Sequence, residues 1–188
     1  MRRTIAAIAA LTLLGSMGLA ACGGDDTQDS TQSGSTDQNS SAPASTSAES
    51  VECSDDATIP AASNKVGQPP EIAKPSGAPP CDLVVKDLAA GTGEEVTDTS
   101  KVYEWNYEGV AWSTGEIFDS SFQRGAPVPF ALDQVIEGWK EGLQGMKVGG
   151  RRQLVIPPDQ AYGEAGAGAS IGPNETLVFV VDLVGPAG

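Results

Sequence analysis

Four runs in the second half of the chain have the pattern of apolar and polar positions that is typical of β-strands. They are residues 83–88, 101–108, 151–156 and 176–184. Turn-forming residues end the first three runs: glycines follow the first two, and Pro157-Pro158 follows the third. The last run is the most apolar of the four.

One helix is predicted between the second and third of these strands, over residues 136–146. Trp139, Leu143 and Met146 recur there at intervals of four and three residues and therefore share a face. Two glycines inside the range each weaken an isolated helix by about 1 kcal/mol relative to alanine. They are acceptable where a sheet approaches the helix closely. The pattern predicts an α+β domain with an antiparallel sheet of about five strands around one short helix.

The first 21 residues are predicted to be a signal peptide. Arg2 and Arg3 make the start positive, and residues 4–21 carry no charge. A transmembrane anchor is the alternative, but the strongly apolar part is shorter than the roughly 20 residues that span a bilayer. The run ends in Leu19-Ala20-Ala21-Cys22, which resembles the bacterial lipobox. By that resemblance, Cys22 becomes the lipidated first residue of the mature protein.

Residues 22–63 are predicted to be a lipidated, disordered linker, and residues 64–188 the globular domain. From Gly23 to Ser50 the chain has no aromatic residue and little to bury, so it cannot offset the entropy of ordering. A two-chain lipid would anchor such a linker stably. We therefore expect an exported protein, held by its lipid on the outer face of the cell membrane.

Composition excludes several classes of function. The 188 residues include no histidine, which removes Ser-His-Asp and Cys-His catalytic pairs and every His-ligated metal site. Acidic residues outnumber basic ones by 25 to 11, which argues against a nucleic-acid partner because phosphate recognition needs clustered cations. We expect no nucleic acid, no metal and no cofactor.

Cys53 and Cys81 are the two cysteines that remain once Cys22 is assigned to the lipid. In an oxidising compartment they are predicted to form a disulfide that joins the end of the linker to the start of the domain. Two free thiols without a role are the alternative. A catalytic thiol is disfavoured because no base accompanies it.

Six motifs follow one another along the domain and carry a family resemblance. They are WNYEG (105–109), GEIFDSS (115–121), VIEGW (135–139), GLQGMKVG (142–149), IPPDQAYG (156–163) and TLVF (176–179). In this order and spacing they resemble the FKBP-type peptidyl-prolyl cis-trans isomerases, from about Leu83 to Val184. The resemblance implies an FKBP-like fold and rotation of the peptide bond before proline.

The resemblance also implies a site. Trp139 would lie beneath the proline ring, the Tyr162 hydroxyl and the Ile136 backbone N–H would donate to substrate carbonyls, and Asp119 would hold Tyr107 or Arg124 at the rim. The implied catalytic residues are Asp119, Trp139, Tyr162 and Phe179. The implied substrate-binding residues are Tyr107, Phe118, Arg124, Val128, Val135, Ile136 and Ile171.

Four positions depart from the family pattern. Val128 stands where an aromatic wall is common, Ala167 where histidine or another large side chain is common, Ser170 where an aliphatic residue is usual, and Glu108 where threonine is usual. A shallower, more polar rim would follow, so we expect slower isomerisation and weak macrolide binding. Tyr103, Trp105 and Trp112 are expected to be structural.

The function that follows is catalysis of prolyl isomerisation in exported polypeptides, by a monomeric protein that assists their folding. The barrier to rotation, roughly 18–20 kcal/mol, comes from amide resonance, and an apolar pocket favours the less polar twisted amide. A module or chaperone that binds peptides in the same cleft without catalysis is the alternative.

Overall fold

The structure is a computed structural model that describes residues 52–188. Strands β1 (Val84–Ala89), β2 (Tyr103–Ala111), β3 (Ile117–Ser120) and β4 (Val128–Phe130) are followed by β5 (Arg151–Ile156) and β6 (Leu177–Pro186). A single-turn helix, α1, spans Ser121–Arg124, and the longer helix α2 spans Glu137–Leu143. Short 3-10 turns occupy Leu132–Gln134, Pro158–Gln160 and Gly163–Ala165.

All six strands belong to one antiparallel sheet with the order β1-β5-β6-β2-β3, and β4 also pairs with β2. The free side of β2 is thus divided: β4 pairs along Tyr103–Trp105 and β3 along Glu108–Val110. Helix α1 follows β3 directly, and the Ser121 hydroxyl accepts a hydrogen bond from the Tyr107 backbone N–H at 2.8 Å. The first residue of α1 is thus hydrogen-bonded to β2, the strand with which β3 also pairs.

Successive side chains of a strand point to opposite faces of the sheet, so the sheet has two distinct sides. We call the side that packs against α2 the inner face; its core includes Trp105, Leu154, Phe179 and Leu183, all nearly inaccessible to solvent. The opposite side, the outer face, has a smaller apolar cluster. That cluster consists of Val110, Trp112, Val155 and Val178.

Helix α2 lies unusually close to the inner face. A Cβ atom on Gly138 would stand 2.4 Å from Ile156 Cγ2, and one on Gly142 would stand 2.7 Å from Leu154 Cδ2. Both separations are too short for real carbon atoms. The two glycines that weaken the helix in isolation therefore allow it to touch the sheet, as the sequence analysis expected.

Residues 53–81, here called the outer segment, cover part of the outer face. Ile59 and Ile72 pack against its apolar cluster, and the Trp112 indole N–H donates to the Gly77 carbonyl at 3.0 Å. The Gln153 side chain donates to the Pro60 carbonyl at 2.9 Å. Ile59 and Pro60, which the sequence analysis assigns to the linker, thus contact the sheet.

A buried ion pair holds the outer segment. Arg151 and Asp182 face each other on β5 and β6, are 0% and 1% exposed, and join through Nε···Oδ1 at 2.5 Å and Nη2···Oδ2 at 2.8 Å. Arg151 also donates to the carbonyls of Gln68 at 2.6 Å and Ser63 at 3.3 Å, while the Gly67 N–H donates to Asp182 at 2.7 Å. The segment's backbone therefore completes the hydrogen bonding of a pair that would otherwise be costly to bury.

The predicted fold class is confirmed: an antiparallel sheet with one short core helix. Strand 151–156 matches its prediction, whereas β2 continues past Gly109 to Ala111 and the helix is shorter than the predicted 136–146. The count is six strands rather than about five, because two short ones were missed. These are β3 and β4.

Candidate active site

An open cavity of about 470 Å³ lies on the inner face beside α2, and we call it the Trp139 cavity. Its volume falls within the range of small-molecule sites, roughly 300–1,000 Å³. The lining residues are Tyr107, Phe118, Asp119, Phe130, Gln134, Val135, Ile136, Trp139, Tyr162 and Phe179. Trp139 lies on its wall although only 5% of the residue is exposed, so the indole is not sealed beneath other side chains.

Aromatic rings meet edge to face around the indole. The Trp139 ring centroid lies 5.0 Å from that of Phe179 and 5.2 Å from that of Tyr107, at interplanar angles of 89° and 85°. Phe118 meets Phe179 at 5.4 Å and 89°. Such perpendicular contacts are favourable between aromatic quadrupoles and hold the rings in fixed positions. The cavity therefore has rigid, apolar walls.

A charged network forms one edge of the cavity. The Tyr107 hydroxyl donates to Asp119 Oδ2 at 2.6 Å, and Arg124 Nη2 donates to the Tyr107 oxygen at 2.7 Å. A further hydrogen bond and ion pair join Arg124 Nη1 to Asp119 Oδ1. Asp119 is thus held by both groups that the sequence analysis offered as alternatives.

The network fixes the protonation of its members. Burial by itself raises the pKa of Asp119, but the hydrogen bonds from Tyr107 and Arg124 outweigh it and hold that pKa below its ordinary value. Burial, reinforced by the Asp119 hydrogen bond, raises the pKa of Tyr107 to about 12. At neutral pH the site therefore contains a carboxylate and a neutral phenol, and neither group is poised to exchange a proton there.

Three residues of the cavity wall carry hydrogen-bond donors that do not belong to this network. Tyr162 is 40% exposed on its wall. Ile136 is the N-cap residue of α2, and an N-cap N–H has no acceptor within its own helix. The Trp139 indole N–H is buried and has no acceptor among the described residues. The arrangement offers a largely apolar hollow with hydrogen-bond donors among its lining residues.

Comparison with known proteins identifies the family. Residues 93–184 match the family described as FKBP-type peptidyl-prolyl cis-trans isomerase. An FK506-binding protein of Streptomyces anulatus is 53% identical over 118 residues, which cover 61% of this chain and 94% of that protein. A probable FK506-binding protein of Corynebacterium glutamicum is 50% identical over 115 residues, covering 61% and 96%. The chain belongs to the FKBP-type peptidyl-prolyl cis-trans isomerases.

The fold of this isomerase is shared with solved structures of the family. The crystal structure of AtFKBP13 superposes with a TM-score of 0.52 at 34% identity, and the match covers 56% of this chain and 93% of that one. Family membership makes the chain an isomerase of the peptide bond before proline, as the sequence analysis predicted.

The structure brings eight of the eleven predicted site residues together on the cavity wall and leaves three off it. Val128 pairs with Trp105 at the start of β4 and does not line the Trp139 cavity. Ile171 is only 8% exposed, belongs to the core below, and is held by a backbone bridge to Ala167. Arg124 also stays off the wall and acts on it through Asp119 and Tyr107.

Sequence reasoning missed Phe130 and Gln134. Phe130 stacks on Trp105 at 5.5 Å and lies 5.2 Å from Trp139, so this FKBP domain has an aromatic wall two residues beyond Val128. Phe130 thus supplies an aromatic wall near the position where the sequence analysis noted the absence of one, and the shallower rim expected at Val128 stays a prediction. The alternation of Val128 and Phe130 on one strand was the available signal, because residues two apart share a face.

The other departures lie outside the Trp139 cavity. Ala167 packs against the inner core, and Ser170 lines a separate hollow together with Phe118. Glu108 is on the outer face, 6% exposed, where it accepts a hydrogen bond from the Ser120 hydroxyl at 3.2 Å. Glu108 therefore does not line the rim of the Trp139 cavity. Tyr103, Trp105 and Trp112 are buried in the two apolar clusters.

Cys53 and Cys81 are joined by a disulfide in the structure. Cys22 and the predicted signal peptide lie outside the described residues. Among residues 52–188, no helix has the length and apolar character needed to cross a bilayer. In the same range no three acidic or cysteine side chains gather in the way that a metal ion requires.

Proposed function

We propose that this isomerase acts outside the cytoplasm on proline-containing polypeptides, and that the Trp139 cavity is its catalytic site. The observation that carries the assignment is the open, aromatic-walled hollow over the Trp139 indole. A pyrrolidine ring is apolar and compact, and this hollow has a matching character.

Catalysis requires no nucleophile. Rotation about the prolyl amide breaks its resonance, so the twisted state is less polar than the planar one. Transfer from water to an apolar cavity therefore disfavours the planar amide more than the twisted amide, which lowers the barrier.

We assign roles to the polar groups by position. The Ile136 N–H and the Tyr162 hydroxyl would orient the substrate backbone by donating to its carbonyl groups. The Asp119 carboxylate would act at the edge, where it keeps Tyr107 and Arg124 in place. Asp119 and Tyr107 hold their protonation states across neutral pH, so the rate should show no titration between about pH 5 and pH 9.

The location is proposed from the N-terminal sequence. The charged start, the apolar run and the lipobox-like Leu19–Cys22 favour export followed by lipidation at Cys22. The disulfide between Cys53 and Cys81 supports an oxidising compartment. Exported, folding chains would then be the substrates, and the isomerase would work as a monomer.

The decisive experiment follows the cis-to-trans relaxation of a proline tetrapeptide with the Trp139→Leu variant. We expect kcat/KM to fall about tenfold or more, equivalent to about 1.4 kcal/mol of lost transition-state stabilisation, because the cavity loses its indole wall. Trp112→Leu is the matched control, since Trp112 is equally buried but lies on the outer face. It should lower stability and leave the rate per folded molecule unchanged.

Other outcomes discriminate among the alternatives. Saturable peptide binding without any acceleration would favour a non-catalytic chaperone. Equal losses of rate in both variants would remove the Trp139 cavity as the site.

Weak binding of macrolides is proposed from the relatives: the proteins of Streptomyces anulatus and Corynebacterium glutamicum both carry FK506 in their names. FK506 should inhibit tetrapeptide isomerisation competitively, and Trp139→Leu should abolish that inhibition. Inhibition that persists in this variant would place the macrolide elsewhere.

Lipidation is tested separately in the cells that produce the protein. A fatty-acid probe should label the wild-type chain, and Cys22→Ala should prevent the label. Cys53→Ser is the control that should retain it.

A further inference from the structure

A second cavity, also of about 470 Å³, lies next to the Trp139 cavity along the chain. The loop that follows β5 contributes to both: Tyr162 lines the first cavity, and its neighbour Gly163 lines the second. The walls of this second cavity include four prolines, so we call it the proline-walled cavity. They are Pro79, Pro80, Pro157 and Pro158.

The Cys53–Cys81 disulfide forms another part of its wall. The cavity therefore exists where the outer segment meets the isomerase domain. Three of the four prolines are buried, and proline has no backbone N–H, so this part of the wall offers apolar surface rather than hydrogen-bond donors.

The polar groups of the cavity carry negative charge or lack a partner. Asp159 and Glu164 are exposed and line it, Asn174 adds an amide, and none of its lining residues is basic. Thr176, also on its wall, is only 3% exposed, and its hydroxyl has no hydrogen-bond partner among the described residues. An acidic hollow with an unsatisfied buried hydroxyl is suited to a cationic ligand that also donates hydrogen bonds.

We propose that the proline-walled cavity binds a lysine or arginine side chain of the same polypeptide whose proline occupies the Trp139 cavity. Long basic side chains pack their aliphatic stems on apolar surface and keep the charged end near solvent. Here the prolines would take the stem, and Asp159 and Glu164 would take the charge. This inference rests on the proposed function and adds a substrate class to it: prolines that have a basic residue nearby.

The connectivity sets the expected spacing. Tyr162 lines the Trp139 cavity and Gly163 lines the proline-walled cavity, and neighbouring Cα atoms lie about 3.8 Å apart, so both cavities touch the same short piece of chain. An extended peptide advances about 3.3 Å per residue. We expect the basic residue to lie within about six residues of the proline on one side of it.

The experiment uses the whole protein and a set of proline peptides that carry a single lysine at each offset from one to six residues on either side. Peptides with glutamine at the same position are the reference. At low ionic strength one small range of offsets should raise kcat/KM three- to tenfold over the glutamine peptide, and the gain should shrink as salt is added. Isothermal calorimetry on the same peptides should show a parallel decrease in Kd.

Paired variants assign the effect to the cavity. Asp159→Asn combined with Glu164→Gln should abolish the lysine preference and leave the glutamine peptides unchanged. Glu71→Gln combined with Glu95→Gln removes the same charge from exposed positions outside both cavities and should keep the preference. Near-UV circular dichroism confirms that each variant is folded.

The result separates this inference from the proposed function. Acceleration of all peptides with no preference for lysine, or a preference that survives in the Asp159/Glu164 variant, overturns the inference and leaves the isomerase intact. Absence of any acceleration overturns the proposed catalytic site, and the calorimetric comparison of lysine and glutamine peptides then still decides whether the proline-walled cavity takes a basic side chain.

Discussion

The same strands form two faces of the sheet that differ in what they expose: the inner face has an open cavity, and the outer face has a covered ion pair. On the inner face, β5 contributes Leu154 to the core, and β6 contributes Phe179 to the wall of a cavity that stays open. On the outer face, the same strands present Arg151 and Asp182, which the outer segment closes off completely. The apolar side is thus available to substrate, and the charged side is sealed. We infer that the outer face maintains the fold and the inner face performs the chemistry.

The largest expected effect is on the outer face. Arg151→Met leaves Asp182 buried without its partner, which should lower the free energy of unfolding by about 3–5 kcal/mol in urea denaturation. Lys147→Met is the matched control, because Lys147 pairs with Glu95 at the surface and should cost less than about 1 kcal/mol.

The double variant Arg151→Met with Asp182→Leu sharpens the same test. It removes both charges, so a large part of the lost stability should return. If Arg151→Met alone is harmless, the ion pair is not what holds the outer face together.

The disulfide is expected to contribute somewhat less. It closes a loop with a sequence separation of 28, and the entropy model gives about 3.5 kcal/mol for a loop of this size. Cys53→Ser combined with Cys81→Ser should lower the midpoint of thermal unfolding accordingly. The isomerisation rate of this double variant with neutral tetrapeptides should stay at the wild-type value. A parallel loss of that rate would mean that the two faces of the sheet are coupled.

A smaller effect is expected at the contact between α2 and the inner face. Gly138→Ala favours an isolated helix by about 1 kcal/mol, but its new methyl group would collide with Ile156. The cost of this overpacking should exceed the gain in helix propensity, so the free energy of unfolding should fall by about 1–2 kcal/mol. Gly185→Ala is the control because nothing lies within 4 Å of its added carbon. Stabilisation by Gly138→Ala would show that the helix can move away from the sheet.

The smallest effect concerns Glu108 and depends on pH. Burial raises the pKa of Glu108 above its ordinary value, although the Ser120 hydroxyl and the charge of Arg151 both lower it. A raised pKa favours the folded state at low pH and loses that benefit as the pH rises above about 4.5 through the folded value. Glu108→Gln should therefore gain in stability relative to wild type as the pH rises from 4 to 8.

Exposed Glu116→Gln provides the comparison for this pH dependence. It removes the same charge from a position at the surface, and the change for Glu108→Gln is measured relative to it over the same range. A constant difference between the two variants would contradict the raised pKa.

The sequence predicted the parts of the fold that have local patterns. Strand 151–156 was found because its strand pattern stops at a proline pair, and the helix because three large apolar residues share its face. Strand β4 has only three residues and includes Pro129, which a strand pattern argues against. It forms because β2 supplies a partner on one side, and that partner is distant in sequence.

The site followed from the family motifs, except where it depends on the path of the chain between them. Phe130 reaches Trp139 because β4 turns it toward the inner face, and no motif records that turn. The packing of the outer segment on the sheet was not predicted, for a different reason. Its contacts are hydrogen bonds from Arg151 and Gln153 to backbone carbonyls about 80–90 residues away, and such contacts leave no periodic pattern.

The disulfide also determines how the domain responds to force. A pull on the chain before Cys53 passes through the sulfur atoms to Cys81, so the residues between the two cysteines carry no load. The load then arrives three residues before β1, a strand at the border of the sheet. Mechanical stress from the N-terminal side thus bypasses the outer segment. The hydrogen bonds that this segment makes to Arg151 and Asp182 therefore carry no load as long as the disulfide is oxidised.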